Sequence, residues 1–131
     1  MQRREFIQTT AIAALATTTG AWAQSAAWPD KPIKFVLSQP PGSGPDNVAR
    51  LLGERLGKSL GQAIVIDNKP GGQNVIGAQA AARSTPDGYT FLVSTATLAA
   101  NVSLYKSLRY DFVRDFTHVS QTFSSSNVLV V

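Results

Sequence analysis

The chain contains no cysteine, and it carries only one histidine and one methionine in 131 residues. Without cysteine it cannot form a disulfide framework, a zinc–thiolate site or a thiol nucleophile, and it cannot carry a lipid-modified N-terminal cysteine. Charged residues are also scarce, at 15% of the chain, whereas hydrophobic residues make up 44%. This composition disfavours intrinsic disorder and is sufficient for one hydrophobic core, so a single domain is expected.

Motifs of the common catalytic sites are missing as well. The single histidine, His118, lies in a segment predicted as a strand, and no Gly-x-Ser-x-Gly nucleophile elbow accompanies it. The chain has neither a Gly-x-Gly-x-x-Gly fingerprint nor a Gly-Lys-Ser/Thr phosphate loop. Its potential metal ligands are scattered carboxylates such as Asp46 and Asp67. A hydrolase that used Ser43 or Ser94 with His118 therefore has almost no support, and we expect no catalytic residue, no cofactor and no metal site.

Basic residues outnumber acidic ones by 12 to 8, which gives a formal net charge of +4. The cations are spread along the chain without a run of three, unlike the clustered basic surface of a nucleic-acid-binding protein. We therefore expect small anions as partners and no nucleic acid.

The first 23 residues have the layout of a secretory signal peptide. Arg3 and Arg4 precede an uncharged stretch rich in alanine and threonine, and Ala21-Trp22-Ala23 supplies small residues at a cleavage site. The paired arginines and the weak hydrophobicity favour a twin-arginine signal, with a Sec signal as the other route. We expect cleavage after Ala23, a periplasmic product and no stable membrane insertion. A membrane anchor is the alternative, but polar residues interrupt the uncharged run over residues 7–27.

Hydrophobic periodicity predicts strand, loop and helix in three successive repeats. Apolar residues at helical spacing and the pattern Ser43-x-x-Asp46 indicate a capped helix after the first strand, and Gly61 ends it. The predicted strands are residues 33–37, 63–67 and 90–94, and the predicted helices are residues 46–60, 75–83 and 98–108. This order is typical of an α/β fold with a mostly parallel sheet and flanking helices.

Two further strands are predicted near the end of the chain. Residues 117–123 form the fourth and residues 127–131 begin the fifth, and the chain stops inside that apolar run. Because an unpaired strand edge promotes aggregation, native domains avoid such an ending. We therefore expect the sequence to be the front part of a longer protein.

Three predicted loops carry the residues that could bind a ligand. Residues 38–46, 68–74 and 95–97 each follow a predicted strand, and all are rich in glycine, serine, threonine or asparagine. In parallel sheets, ligands bind at the carboxyl ends of the strands, where helix N-termini offer free N–H groups to anions. The loops therefore predict a site for a carboxylate or a phosphate. In the alternative interpretation, the glycines and prolines only shape turns.

Several motifs occur in the order and spacing of a known family. They are Trp28-Pro29-Asp30-Lys31-Pro32-Ile33, Pro40-Pro41-Gly42-x-Gly44-x-Asp46, Asn68-Lys69-Pro70-Gly71, Ile76-Gly77-Ala78, Pro86-Asp87-Gly88-Tyr89-Thr90, Leu104-Tyr105-Lys106, Tyr110-Asp111 and Asn127-Val128-Leu129-Val130-Val131. In these motifs the chain resembles the Bug (TctC-like) proteins, the periplasmic substrate-binding receptors of tripartite tricarboxylate transporters. The resemblance extends over nearly all of residues 24–131.

The resemblance implies a two-lobed, Venus-flytrap fold of which residues 24–131 are the truncated first lobe, ending at the strand that crosses to the second lobe. It also implies a receptor without enzymatic activity, which binds a mono-, di- or tricarboxylate and delivers it to a membrane permease or to a sensor domain. The positions that match the family's ligand-binding loops are Pro41, Gly42, Ser43, Gly44, Asp46, Gly72, Gln73, Asn74, Val75, Thr95, Ala96 and Thr97.

The second loop departs from the usual sequence of the family. Relatives often have Pro-Gly-Ala-Gly-Gly-Asn-Ile-Gly in the second loop, whereas this chain has Pro70-Gly71-Gly72-Gln73-Asn74-Val75-Ile76-Gly77, so the asparagine at the helix start is moved or replaced. The alternative function is a complete small exported protein that dimerises through its unfinished sheet edge, which predicts a stable homodimer.

Overall fold

The computed structural model describes residues 27–124. The predicted signal peptide, its cleavage after Ala23 and the predicted strand at residues 127–131 lie outside this range. Within residues 27–124, no helix combines the length and the apolar character needed to cross a membrane.

Three strands alternate with three helices along the described chain. The elements are β1 Ile33–Leu37, α1 Gly44–Leu60, β2 Ile64–Asn68, α2 Val75–Ala82, β3 Thr90–Val93 and α3 Thr97–Leu104. A short 3₁₀ turn, Gly72–Asn74, leads directly into α2. The predicted α/β class is therefore confirmed, and the predicted strands agree with the observed ones to within one residue at each end.

The strands form a parallel sheet in the order β2-β1-β3. Phe35 in the central strand lies opposite Ile66 of β2 and Phe91 of β3. Because both pairings are parallel, the carboxyl ends of all three strands meet at one edge of the sheet. The loops that follow the strands are thereby brought to that edge.

Helix α1 has the predicted serine cap and glycine end, but it begins at Gly44, two residues before the predicted start. The Ser43 hydroxyl accepts a hydrogen bond from the Asp46 backbone N–H at 3.4 Å. At the other end Gly61 has a φ of 68°, a left-handed conformation that disfavours any residue with a Cβ. Between these ends, Leu52 and Leu56 pack against the buried side chains of β1.

Helices α2 and α3 cover the opposite face of the sheet. Ala78 of α2 and Leu98 of α3 form a second buried cluster with Tyr110, against which Leu92 of β3 packs. Because Leu92 alternates with Phe91, which packs in the first cluster, the two clusters lie on opposite faces. Gly77 lets α2 approach the end of β1 closely.

The prediction of a fourth strand at residues 117–123 is wrong. The structure has no strand there, and neither β2 nor β3 pairs with this segment. Val119 is 76% exposed, so residues 27–124 do not bury this apolar side chain. His118 therefore does not lie in a strand; its ring packs 5.1 Å from that of Phe112.

The predicted helix 98–108 is also too long. The observed α3 ends at Leu104, because Tyr105 adopts an extended conformation with φ of −108° and ψ of 128°. Tyr110 and Phe116 then pack edge to face at 6.0 Å in the turn region that follows. This contact belongs to the second cluster, and it holds the chain across the face formed by α2 and α3.

Candidate functional site

The three predicted loops lie side by side at the carboxyl edge of the sheet. The Ser38 and Ser94 hydroxyls, at the ends of β1 and β3, are 2.9 Å apart. Next to them the Gln39 side-chain amide donates to the Thr95 hydroxyl at 3.2 Å. The second loop joins through Asn74, whose amide also donates to the Thr95 hydroxyl, at 3.4 Å.

Thr95 connects all three loops. Its hydroxyl accepts from Gln39 and from Asn74 and donates to the Thr97 hydroxyl at 3.3 Å. A hydroxyl has one proton and two lone pairs, so these bonds use the full capacity of Thr95. Ala96 is exposed between the two threonines, and Thr97 is the first residue of α3.

Asp46 holds the first loop in place. The residue is only 1% exposed, and one carboxylate oxygen accepts from the Gly42 backbone N–H at 2.8 Å and from Arg50 Nε at 2.9 Å. The other oxygen accepts from the Asn68 amide at 2.9 Å. Both oxygens therefore accept hydrogen bonds within the protein, and these bonds hold the first loop in position.

These donors stabilise the ionised form of Asp46. The Arg50 side chain contributes most, followed by the Gly42 N–H and the Asn68 amide, and together they hold the pKa of Asp46 well below its ordinary value against the opposing effect of burial. The pKa of Arg50 is raised in return by its bond to Asp46.

The other predicted residues of the first loop differ in their exposure. Pro41 and Gly42 are exposed, and Gly42 has a φ of 80°. Ser43 caps α1, and Gly44 is the first residue of that helix. A Cβ on Gly44 would meet no atom within 4 Å, so space remains above this helix start.

The second loop has an unusual backbone. Its four residues from Gly71 to Asn74 all have positive φ, at 122°, 53°, 50° and 77°, and two of them are not glycine. Such a conformation costs on the order of 1–3 kcal/mol at a residue with a Cβ, less for asparagine. The Asn101 amide donates to the Gln73 carbonyl at 2.8 Å and so helps to hold the turn. Val75 follows as the first residue of α2.

Several residues that build the site are not among the predicted ligand contacts. Ser38, Gln39 and Asn68 lie within the predicted loops, whereas Ser94 and Asn101 lie outside them. Position was the available signal for the first four, since each ends a strand or follows one within two residues. For Asn101 the signal was an asparagine inside an apolar helix, where its side chain competes with helical hydrogen bonds unless it has a tertiary partner.

The charges beside the loops are already paired. Arg50 binds Asp46, and Lys69 Nζ lies 3.4 Å from the Asp67 carboxylate. An anion at this edge would therefore meet mainly hydroxyl, amide and backbone N–H groups.

Across residues 27–124, no group of three His, Asp or Glu side chains could hold a metal ion. An open depression beside β2, lined by Gly53, Gly57 and Ile64, lies on the flank of the sheet.

The amino-acid sequence matches a known protein family. The sequence model of the TctC family, described as the tripartite tricarboxylate transporter family receptor, matches residues 48–131. The chain belongs to the TctC family.

Curated relatives extend the match to earlier residues. A UPF0065 protein of Bordetella bronchiseptica is 42% identical over 99 residues, which cover 75% of this chain and 30% of that protein. BugT of Bordetella pertussis is 41% identical over 105 residues, which cover 79% of this chain and 32% of BugT. The chain therefore spans about a third of the length of these TctC relatives.

Solved structures match the described fold. MatC from Rhodopseudomonas palustris with bound malate is 35% identical with a TM-score of 0.64, over 69% of this chain and 31% of MatC. Rpa4515 of the same organism with adipate is 36% identical with a TM-score of 0.61, over 64% of this chain and 28% of the other. The three-stranded parallel sheet and its helices thus correspond to part of a periplasmic binding protein.

Proposed function

We propose that this TctC chain is part of an extracytoplasmic receptor that binds a small carboxylate and is not an enzyme. The observation that carries the proposal is the meeting of three polar loops at one sheet edge, cross-linked through Thr95. Two structures with a similar fold contain adipate and malate, which are both dicarboxylates.

The ligand would be bound by neutral donors. The proposed contacts come from Pro41, Gly42, Ser43 and Gly44 in the first loop, Gly72, Gln73, Asn74 and Val75 in the second, and Thr95, Ala96 and Thr97 in the third. Asp46 holds the first loop in position through its hydrogen bonds to Gly42, Arg50 and Asn68. Helix starts favour negative charge, and hydrogen bonds to a carboxylate are stronger than those between neutral groups. Such donors suit mono-, di- and tricarboxylates alike.

In this proposal residues 24–131 form the first of two lobes, and the second lobe supplies the other half of the site. Closure of two lobes excludes water and adds contacts to the ligand. Binding therefore has to be measured on the protein as its own gene encodes it.

The test is a thermal-shift screen on that protein with acetate, malate, adipate and citrate, each beside its neutral amide. A ligand present at 100 times its dissociation constant stabilises the folded state by about 2.7 kcal/mol. We expect at least one carboxylate, and not its amide, to raise the melting temperature by several degrees. Equal shifts from acids and amides, or no shift with any acid, would contradict the proposal.

Export and handover complete the proposed role. Residues 1–23 would direct the chain to the periplasm by the twin-arginine or the Sec route, and the receptor would deliver its ligand to the membrane permease of a tripartite tricarboxylate transporter or to a sensor domain.

The intact mass of the product recovered from periplasm tests the export step. We expect the protein to begin at Gln24, because the small residues of Ala21-Trp22-Ala23 fit signal peptidase. A cytoplasmic product that retains Met1 would contradict export. A product of residues 24–131 that is dimeric in solution would instead favour the small protein that pairs through its sheet edge.

A further inference from the structure

Five side chains at the carboxyl edge form one continuous hydrogen-bonded chain. It begins at Ser94, whose hydroxyl is 2.9 Å from that of Ser38. The Ser38 hydroxyl donates to Gln39 Oε1 at 2.8 Å, and Gln39 Nε2 donates to the Thr95 hydroxyl at 3.2 Å. The chain ends with the bond from Thr95 to the Thr97 hydroxyl at 3.3 Å.

The glutamine gives this chain a direction. Its Oε1 only accepts and its Nε2 only donates, whereas each hydroxyl has a single proton to give. Because the Ser38 hydroxyl donates its hydrogen bond to Gln39, the Ser94 hydroxyl must be the donor to Ser38. On the other side of the amide, the Thr95 hydroxyl accepts a hydrogen bond from Gln39 and donates one to the Thr97 hydroxyl.

One proton remains uncommitted in this arrangement. Ser94, Ser38 and Thr95 have each used theirs inside the chain, and the remaining lone pair of Thr95 receives the Asn74 amide at 3.4 Å. Thr97 Oγ1 accepts from Thr95 and makes no other hydrogen bond among residues 27–124. Its proton therefore stays available to a ligand.

We propose that Gln39 is a positioning residue that orients the chain of hydroxyls, so that Thr97 presents the free O–H donor to a ligand carboxylate. This inference rests on the proposed function. A carboxylate accepts hydrogen bonds and has none to donate, so a terminal donor matches it. Hydrogen bonds in series polarise one another, which strengthens the Thr97 donor.

The position of Gln39 is itself supported from β2. Its backbone carbonyl accepts from the Asn68 amide at 3.1 Å, and the same amide group binds Asp46. The opposite orientation of the Gln39 side-chain amide would reverse every step and leave the Ser94 proton free instead. The two orientations thus assign the ligand donor to different residues.

The first experiment measures the affinity of the native protein for whichever tested carboxylate gives the largest thermal shift. We expect Thr97→Val to weaken binding about ten-fold or more, as for loss of a hydrogen bond to a charged group. Thr97→Ser keeps the hydroxyl and should stay within about three-fold of wild type. Ser94→Ala, at the far end of the chain, should weaken binding less than Thr97→Val does, since it removes no bond to the ligand.

A double-mutant cycle then tests the role of Gln39. Gln39→Met keeps the length of the side chain but removes the amide, and we expect it to weaken binding in the wild type and to have no further effect on Thr97→Val. Additive losses would mean that Gln39 acts independently of Thr97, and this would overturn the inference.

Other outcomes are equally decisive. If Ser94→Ala weakens binding as much as Thr97→Val was expected to, or if Thr97→Val binds like the wild type, the assigned direction is wrong while the receptor function stands. If no carboxylate binds the wild type, the proposed function fails and this inference fails with it.

Discussion

Replacement of Gly77 by alanine is expected to lower the free energy of unfolding by about 1–3 kcal/mol, the usual range for overpacking a tight interior. A Cβ at this position would lie 2.8 Å from Ser38 Cα and 3.1 Å from the Lys69 carbonyl oxygen. Both neighbours are backbone atoms, so α2 would have to move away from β1. Helix propensity alone predicts the opposite, since alanine is favoured over glycine by about 0.5–1 kcal/mol in a helix.

Chemical denaturation of Gly77→Ala beside Gly44→Ala checks this prediction. Gly44, in the first turn of α1, has no atom within 4 Å of a built Cβ, so its replacement should cause no loss of stability. We also expect Gly77→Ala to weaken carboxylate binding, because the displaced Ser38 belongs to the hydroxyl chain. A Gly77→Ala protein as stable as the wild type would show that the close approach of α2 is not required.

Replacement of Asp46 by asparagine should produce the other large loss of stability. Donors face both carboxylate oxygens, so either orientation of an asparagine amide sets an N–H group against Asn68 or against Gly42 and Arg50. A buried donor that loses its acceptor destabilises the fold more than the loss of an exposed pair.

Glu54→Gln is the matched control for Asp46→Asn, because Glu54 also pairs with a cation four residues later in α1. Its carboxylate lies 2.7 Å from Lys58 Nζ, but the two side chains are 64% and 76% exposed, and exposed pairs contribute little. We expect the melting temperature to fall clearly for Asp46→Asn and hardly at all for Glu54→Gln. Similar small shifts in the two variants would contradict the positioning role of Asp46.

The difference in stability between the wild type and Asp46→Asn is also expected to depend on pH. Because the pKa of Asp46 is lowered in the folded protein, its contribution to stability is fully present above the ordinary aspartate pKa of about 3.9 and is lost as the pH falls further. The stability gap between wild type and Asp46→Asn should therefore be constant at neutral pH and narrow below about pH 4. Urea unfolding of both proteins across this range measures the gap, and a gap independent of pH would contradict the role of the charge.

Much of this architecture follows from local patterns. β1 is short, almost wholly apolar and bounded by Pro32 and by the loop glycines, so its extent could be predicted without error. Ser43 and Gly61 likewise mark the ends of α1, since a capping hydroxyl and a left-handed glycine act on the nearest backbone groups. Alternation of strands and helices implies parallel pairing, and parallel pairing brings the loops to one edge.

Other features depend on residues far apart in the chain. The apolar pattern of residues 117–123 suggests a strand, but a strand exists only beside a partner, and residues 27–124 provide none for this segment. The role of Asp46 is set by Asn68, which lies 22 residues away, and Thr95 acquires its partners from loops 56 and 21 residues earlier. Sequence patterns thus predict the elements and the sheet edge where the three loops meet, because local backbone preferences govern both. Only the tertiary structure decides which polar groups are already satisfied, since each hydrogen bond depends on which distant donor or acceptor the fold brings within reach.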